Sequence, residues 1–213
     1  NYFYNKEHLT NTINIDNVFN NIMKYKKYDP KKISDKPWIV ILDSFLSSEE
    51  CTELIQLSND WTVNKISHDD KVFDLSNNPI NTYVGENNES NLNTSFRDST
   101  TYNCDKECLN KKIIQIIDNR INEITTINKK NYEELTLTKY NNGRVYRKHN
   151  DYISKKNDTK KFMKQGPRII TVLLYLTDDY TGGETSFLYV GYKVKPKIGR
   201  ALIWTSVNND LEK

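Results

Sequence analysis

The chain has 213 residues, of which 36% are hydrophobic and 28% are charged, and its formal net charge is +3 at pH 7. This length predicts one domain with a sizeable core. So small a net charge excludes a strongly basic nucleic-acid-binding protein, and no apolar run approaches the roughly 20 residues of a membrane-spanning helix.

Three amphipathic helices are predicted in the first 125 residues. The first covers residues 13–23, where apolar side chains recur on one face. The second begins at Ser47, because Glu50 three residues later is typical of a capping box. Cys51 falls on the apolar face of this helix and is predicted to be a buried free thiol. The third helix covers residues 106–125, with isoleucines at helical spacing.

Two polar segments and the other two cysteines are further features of the chain. Residues 59–103 are rich in Asn, Ser and Asp, and they are predicted to form a lid or binding loop or to be partly mobile. The segment 154–165 is a second candidate for a closing loop. Cys104 and Cys108 either pair in an oxidising compartment or simply lie a helical turn apart.

Strand patterns dominate the second half of the chain. Residues 135–140 alternate in polarity, and residues 168–176 are almost continuously apolar, which is typical of a strand covered on both faces. Shorter strands separated by glycines follow, and one buried strand, within residues 38–46, precedes the second helix. Helices followed by a run of strands predict an α+β fold that ends in a sandwich or barrel.

His149 and Asp151, separated by a single asparagine, are the candidate metal ligands. A strand presents residues i and i+2 on the same face, so their imidazole and carboxylate are predicted to project side by side. They would supply two of the three ligands of a 2-His-1-carboxylate facial triad, as in iron(II) oxygenases. His68 and Asp70 have the same spacing, but no strand pattern surrounds them, and a solvated loop is predicted there.

Several motifs in a fixed order resemble the catalytic domain of the prolyl 4-hydroxylase family. They are TKYNNGRVYRKHNDY, RIITVLLYLTDDYTGGETSF and VKPKIGRALIW, with FLSSEEC and SFRDST upstream. The resemblance covers about residues 38–204. It implies a double-stranded β-helix (jelly-roll) core with N-terminal flanking helices, divided into a helical extension at 1–36 and a dioxygenase domain at 37–213. The cofactors it implies are Fe(II), 2-oxoglutarate and O2, with ascorbate as a further candidate.

The resemblance also assigns roles to individual residues, beginning with Fe(II) binding by the His-Asn-Asp pair described above. Tyr140 would hydrogen-bond the distal carboxylate of 2-oxoglutarate, and Thr185 would assist it. Tyr146 would line the pocket for the substrate proline, and Arg168 would reach the peptide backbone.

The family's pattern continues past Trp204 with a second iron-binding histidine and then a lysine for 2-oxoglutarate. No histidine follows His149 in the 213 residues. We interpret the sequence as shortened at its C-terminal end, with a non-catalytic relative as the alternative.

The leading interpretation is therefore a 2-oxoglutarate- and Fe(II)-dependent dioxygenase that hydroxylates peptidyl proline and releases succinate and CO2. The alternatives are a catalytically inactive jelly-roll domain that binds peptides and a hydroxylase of another substrate, such as lysyl residues. The expected partner is a proline-containing peptide or protein, with no nucleic acid and no membrane span. The oligomeric state is left open, and so is the location: the ER lumen, the cytoplasm or a virus-encoded origin.

Overall fold

The structure, a computed structural model, describes residues 2–3, 13–59, 63–64, 72–73, 79–80, 99–133, 135–152 and 167–208. The helices are α1 (Ile15–Ile22), α2 (Ser48–Asn59), α3 (Lys106–Leu109) and α4 (Lys112–Thr125). The strands are β1 (Tyr2–Phe3), β2 (Pro30–Asp35), β3 (Trp38–Leu42), β4 (Val63–Asn64), β5 (Val72–Phe73), β6 (Pro79–Ile80), β7 (Thr100–Asn103), β8 (Thr136–Lys139), β9 (Arg168–Leu174), β10 (Thr185–Phe187), β11 (Tyr192–Val194) and β12 (Ala201–Thr205).

Some predicted features fall outside the described residues. Most of the predicted lid at 59–103 lies there, as do the closing loop at 154–165 and the pair His68 and Asp70. Within the described ranges, no helix combines the length and the apolarity needed to cross a bilayer.

A five-stranded antiparallel sheet, in the order β1-β9-β12-β3-β2, forms the centre of the fold. In β12, Trp204 lies opposite Thr171 of β9 on one side and Ile39 of β3 on the other. Residues directly opposite each other share a face, so this register divides the sheet into two surfaces. We call them the helix face, which includes Val40, Leu42, Ile170, Ala201 and Ile203, and the hairpin face, which includes Ile39, Ile41, Leu173, Tyr175 and Leu202.

The helix face packs against α1 and α4 in the larger of two hydrophobic clusters. Phe19 of α1 is fully buried and stacks on Trp38, with 5.3 Å between ring centroids. The indole of Trp38 also donates a hydrogen bond to Asp16 at 2.6 Å. At the other end of α1, the side-chain amide of Asn21 donates to the carbonyl of Ile124 at 2.9 Å, which joins α1 to the last turn of α4.

The hairpin face is covered by the β10–β11 hairpin. Val194 is buried in the second hydrophobic cluster, and the ring of Phe187 meets Trp204 edge-on at 5.5 Å. The predicted strand at 168–176 is thus covered on both faces, as its continuous apolar pattern indicated, and the α+β order of helices and antiparallel strands is confirmed.

The predicted start of the second helix is confirmed in atomic detail. The amide of Glu50 donates to the Ser47 hydroxyl at 3.2 Å, and the amide of Ser47 donates to the Glu50 carboxylate at 2.9 Å. These two bonds form the capping box. Cys51 is a buried free cysteine, also as predicted.

The predicted third helix is wrong in one respect, because it is two helices rather than one. The chain leaves helical geometry at Lys111, whose φ of −67° and ψ of 139° are extended. Asp105 caps α3 by accepting the amide of Cys108 at 2.9 Å, and Cys104 and Cys108 form a disulfide across this first turn. This short helix has its own cap, and α4 begins separately at Lys112.

A glycine turn ties the start of β12 to its neighbours. Gly199 has a φ of +77°, and a Cβ there would lie 2.2 Å from the carbonyl oxygen of Leu46. Its carbonyl accepts the amides of Phe45 and Leu46, and its own amide donates to Tyr175. Only glycine allows so close an approach at a left-handed φ. The turn therefore holds the ends of β9 and β12 against the entry of α2.

Candidate active site

The segment that carries the predicted ligands follows strand β8. A turn follows at residues 141–143, with Gly143 at a φ of +75° and the amide of Arg144 bonded to the Asn141 carbonyl. Residues 147–152 then form no strand, which corrects the strand geometry assumed for His149 and Asp151. Their side chains nevertheless meet, because local and tertiary hydrogen bonds orient each of them.

One nitrogen of His149 is occupied by the backbone. Nδ1 lies 2.8 Å from the carbonyl oxygen of Arg147. A carbonyl only accepts hydrogen bonds, so Nδ1 carries a proton, and Nε2 has the lone pair whenever the imidazole is neutral. Nε2 in turn faces Oδ1 of Asp151 at 3.2 Å.

The second oxygen of Asp151 is held by the sheet. The Thr171 hydroxyl of β9 donates to Oδ2 at 2.6 Å. Burial acts to raise the pKa of Asp151, but the hydrogen bond and charge that His149 supplies when protonated, the Thr171 bond and the Arg168 charge outweigh it. The pKa of Asp151 is consequently below its ordinary value, and the side chain is a carboxylate at neutral pH.

The two facing atoms suit a shared metal cation. A lone pair and a carboxylate oxygen at this distance repel each other unless a positive charge or a proton lies between them. Two adjacent ligands of an octahedral metal, each about 2.1 Å from it, would be about 3.0 Å apart. The observed 3.2 Å agrees with that spacing. In the part of the chain that the structure describes, no third His, Cys, Asp or Glu completes such a group.

A second polar pair lies farther along the hairpin face. The hydroxyl groups of Tyr175 and Thr185 are 2.6 Å apart. Thr171, Leu173 and Tyr175 project from the same face of the β9 chain, so this pair lies about 13 Å along the backbone from Thr171. Burial raises the pKa of Tyr175, so its phenol stays protonated and able to donate.

Tyr175 is a candidate binding residue that the sequence interpretation missed. It ends the apolar run of β9, where it is typical of an ordinary core aromatic. Its position four residues after Thr171 was the available signal, because even spacings on a strand share a face.

The other predicted residues are placed as follows. Tyr146 stacks on the His149 imidazole, with 3.8 Å between ring centroids. It therefore lies directly beside His149 and Asp151, which we call the candidate metal pair, or metal pair. The Arg168 guanidinium forms a two-pronged contact with Glu133, at 2.5 and 3.1 Å. Tyr140 is 43% exposed just before the turn. The structure thus brings together His149, Asp151 and Tyr146, while Thr185 joins Tyr175 and Arg168 joins Glu133.

Glu133 is a second residue that the sequence did not single out. Burial opposes the charge of Arg168, but Glu133, Asp151 and Tyr146 together raise the pKa of the guanidinium. Arg168 is therefore a fixed positive charge that acts on the Asp151 carboxylate. No sequence pattern links residues 35 positions apart, so only the fold reveals this contact.

The chain is similar in sequence to 2OG-Fe(II) oxygenases and to plant prolyl 4-hydroxylases. Residues 135–210 match the family model of the 2OG-Fe(II) oxygenase superfamily. The chain is 27% identical to prolyl 4-hydroxylase 1 of Arabidopsis thaliana, over 89% of this chain and 65% of that protein. It is 34% identical to probable prolyl 4-hydroxylase 8 of the same plant, over 73% of this chain and 46% of the relative. The chain therefore spans about half to two thirds of the length of these relatives.

A solved structure shares the fold. The viral collagen prolyl hydroxylase of Paramecium bursaria Chlorella virus 1, in its 2OG complex, superposes with a TM-score of 0.56 at 21% identity, covering 82% of this chain and 81% of that one. The chain thus resembles the 2OG-Fe(II) oxygenase superfamily in sequence over residues 135–210 and the viral hydroxylase in fold. The resemblance to the prolyl 4-hydroxylase family, inferred from its motifs, is confirmed.

Proposed function

We propose that this protein is a 2-oxoglutarate- and Fe(II)-dependent dioxygenase that hydroxylates peptidyl proline to 4-hydroxyproline, with succinate and CO2 as co-products. The observation that carries the proposal is the facing pair of His149 Nε2 and Asp151 Oδ1, 3.2 Å apart beside the hairpin face. The relatives named prolyl 4-hydroxylases support the choice of substrate.

Each residue near the pair has a defined task in this proposal. His149 and Asp151 hold the iron, which when bound supplies the oxygen chemistry that couples 2-oxoglutarate breakdown to hydroxylation. The Arg147 carbonyl and the Thr171 hydroxyl orient these two ligands, as the outer partners of metal ligands do. Tyr146 lines the pocket for the proline ring.

The distal carboxylate of 2-oxoglutarate is assigned to the hydroxyl pair. Tyr175 and Thr185 present donors at the covered end of the hairpin face, and Leu173 lies between them and Thr171. A buried carboxylate needs such donors because it loses its hydration on binding. Tyr140 stays a predicted third donor, and Arg168, held by Glu133, is assigned to the peptide backbone.

The finer description of the fold is also part of the proposal. We assign the sheet and the β10–β11 hairpin to a double-stranded β-helix, because the hairpin covers the sheet face that carries the site. The division into an extension at 1–36 and a dioxygenase domain at 37–213 stays a prediction, as does ascorbate as an added cofactor. The buried Cys104–Cys108 disulfide favours an oxidising location such as the ER lumen over the cytoplasm.

The test is turnover by the full-length protein with Fe(II), 2-oxoglutarate, O2 and proline-containing peptides. We expect succinate release that depends on the peptide, together with a mass gain of one oxygen on a proline. Asp151→Asn should lower turnover at least about 100-fold, because it removes an anionic ligand. Asp35→Asn, at an exposed ion pair on β2, is the matched control and should retain activity.

Two results would count against the proposal. Turnover that survives both a chelator and Asp151→Asn would remove the metal pair from the reaction. Iron binding with no succinate release for any proline peptide would favour the second candidate, a peptide-binding domain without catalysis. The described residues include only two ligand side chains at the pair, which is the observation that keeps this candidate in view.

A further inference from the structure

The exposed large apolar side chains of the described residues are confined to two segments. Their exposed fractions run from 40% to 88%, and five of the seven are tyrosines. The first segment leads to the metal pair, and the second is the β10–β11 hairpin with the loop before it. The residues are Tyr140, Val145 and Tyr146 in the first segment, and Tyr180, Leu188, Tyr189 and Tyr192 in the second.

Contacts through the sheet place the hairpin beside the metal pair. Asp151 is bonded to Thr171, and Thr171 lies opposite Trp204 on the neighbouring strand. Phe187 of the hairpin packs edge-on against Trp204 and lies opposite Tyr192. One end of this series of contacts is thus the exposed ring of Tyr146 on His149, and the other end is the hairpin.

The tip of the hairpin is the most exposed of these surfaces. Leu188 is 59% exposed and Tyr189 is 88% exposed. The amides of Val190 and Gly191 bond to the carbonyls of Phe187 and Leu188, so the turn has a defined shape. The stretch TSFLYVGY, residues 185–192, has no charged side chain in a chain that is 28% charged. An uncharged aromatic tip of this kind is matched to an uncharged partner.

We propose that the hairpin tip, formed by Leu188 and Tyr189, is a docking site for the part of the substrate that flanks the target proline. The proposal rests on the proposed function and adds a second contact to it. Proline-containing chains adopt the extended polyproline II helix, whose rings pack on aromatic side chains and whose carbonyls accept hydrogen bonds from hydroxyl groups. Tyrosine offers both, and the contacts through the sheet connect the hairpin with the Tyr146 end of the site.

The distance between the two contacts sets the length of peptide that can use both. Strand spacing and strand rise place the tip roughly 15–20 Å from the metal pair. A polyproline II chain advances about 3.1 Å per residue, so about five or six residues must flank the target proline on one side. Shorter peptides reach the metal pair without touching the tip.

The experiment compares short and long peptides on the full-length protein. The short peptide has two residues on each side of the target proline, and two long peptides extend it by eight residues to one side or the other. The variant is Leu188→Ser with Tyr189→Ser, and the control is Lys193→Ala, an exposed change on the same hairpin. We expect the double variant to raise KM for one long peptide roughly 3- to 10-fold, the loss of one or two aromatic contacts. The KM for 2-oxoglutarate and for the short peptide should not change.

Other outcomes would overturn the proposal. An unchanged KM for both long peptides would exclude a substrate contact at the tip. An equal rise in KM for the short and the long peptides would mean that the tip only supports the fold. A shift from dimer to monomer in sedimentation would assign the tip to a second copy of the chain. If the wild-type protein hydroxylates no peptide, fluorescence anisotropy of the labelled long peptides still tests docking separately from catalysis.

Discussion

Two groups outside the pair decide which atoms of His149 and Asp151 face each other. The Arg147 carbonyl accepts a hydrogen bond from Nδ1–H of His149, and the Thr171 hydroxyl donates one to Oδ2 of Asp151. The remaining Nε2 and Oδ1 then face each other. At the scale of single residues, these two hydrogen bonds align the ligands without a regular strand.

Replacing Thr171 with valine should weaken metal binding. The substitution keeps the shape of the side chain but removes the donor to Asp151, leaving that carboxylate free to turn away from Nε2. The expected loss is about 10-fold in affinity for Fe(II) or for Mn(II) as a stable probe, in the range typical of such outer partners. Calorimetric titration of the full-length protein measures it.

Thr185→Val is the matched control for this prediction. It removes a hydroxyl of the same type from the other end of the hairpin face, where the partner is Tyr175. It should raise KM for 2-oxoglutarate and leave metal affinity unchanged. Equal metal affinity in wild type and Thr171→Val would show that Asp151 is oriented by other contacts.

At the scale of elements, one buried carboxylate connects β2, the end of β3 and the turn before β12. Asp43 contacts Lys31 and Arg200, each at 2.6 Å, and its side chain is 4% exposed. Burial acts to raise the pKa of Asp43, but the bonds from Lys31 and Arg200 and the charge of Lys197 lower it overall. The ionised form is therefore favoured by folding.

Asp43→Asn should destabilise the protein in a pH-dependent way. Because the folded pKa is depressed, the stabilisation is complete above the unfolded pKa of about 3.9 and is lost as pH falls through the folded value. The substitution should lower the free energy of unfolding by about 2–3 kcal/mol at pH 7, because it leaves Arg200 facing a neutral amide. Urea unfolding at pH 7 and pH 3 measures the difference, which should shrink at the lower pH.

Asp35→Asn serves as the comparison here too. Asp35 pairs with Lys32 on the surface, where solvent screens the interaction, and its loss should have little effect at either pH. If Asp43→Asn lowers the free energy of unfolding by the same amount at pH 7 and pH 3, shape rather than charge holds these elements together.

At the scale of the whole molecule, the first helix and the five-stranded sheet share one core. Phe19 of α1 is fully buried against Trp38 of β3, and α1 also bonds to the end of α4. The site itself lies on the opposite face of the same sheet. Loss of packing on the helix face should therefore affect the strands that position the site.

Phe19→Ala should lower the free energy of unfolding of the whole described fold by about 3–5 kcal/mol, the usual cost of emptying a buried aromatic site. Asn20→Ala, exposed in the same helix, should change it by less than about 0.5 kcal/mol. Hydrogen exchange measures how fast the backbone amides of α1 and of β9 exchange in each variant. If Phe19→Ala speeds exchange in α1 but not in β9, the extension at 1–36 is a separate folding unit.

Local patterns in the sequence were sufficient for much of this description. The capping box at Ser47, the helix at α1, the two-sided strand β9 and the ligand spacing of His149 and Asp151 each depend on residues within a few positions of each other. Such features follow from helical and strand periods and from the reach of one side chain. The sequence by itself therefore determined the α+β order and the candidate ligands.

Only the tertiary structure decided the partners that complete the site. β2 was not predicted, because an edge strand with lysines lacks an apolar pattern and is defined by pairing with β3. The contacts of Thr171 with Asp151, Tyr175 with Thr185, and Glu133 with Arg168 join residues 10 to 35 positions apart. Contacts at that separation depend on strand register and sheet order, which arise from packing of the whole chain rather than from any local period.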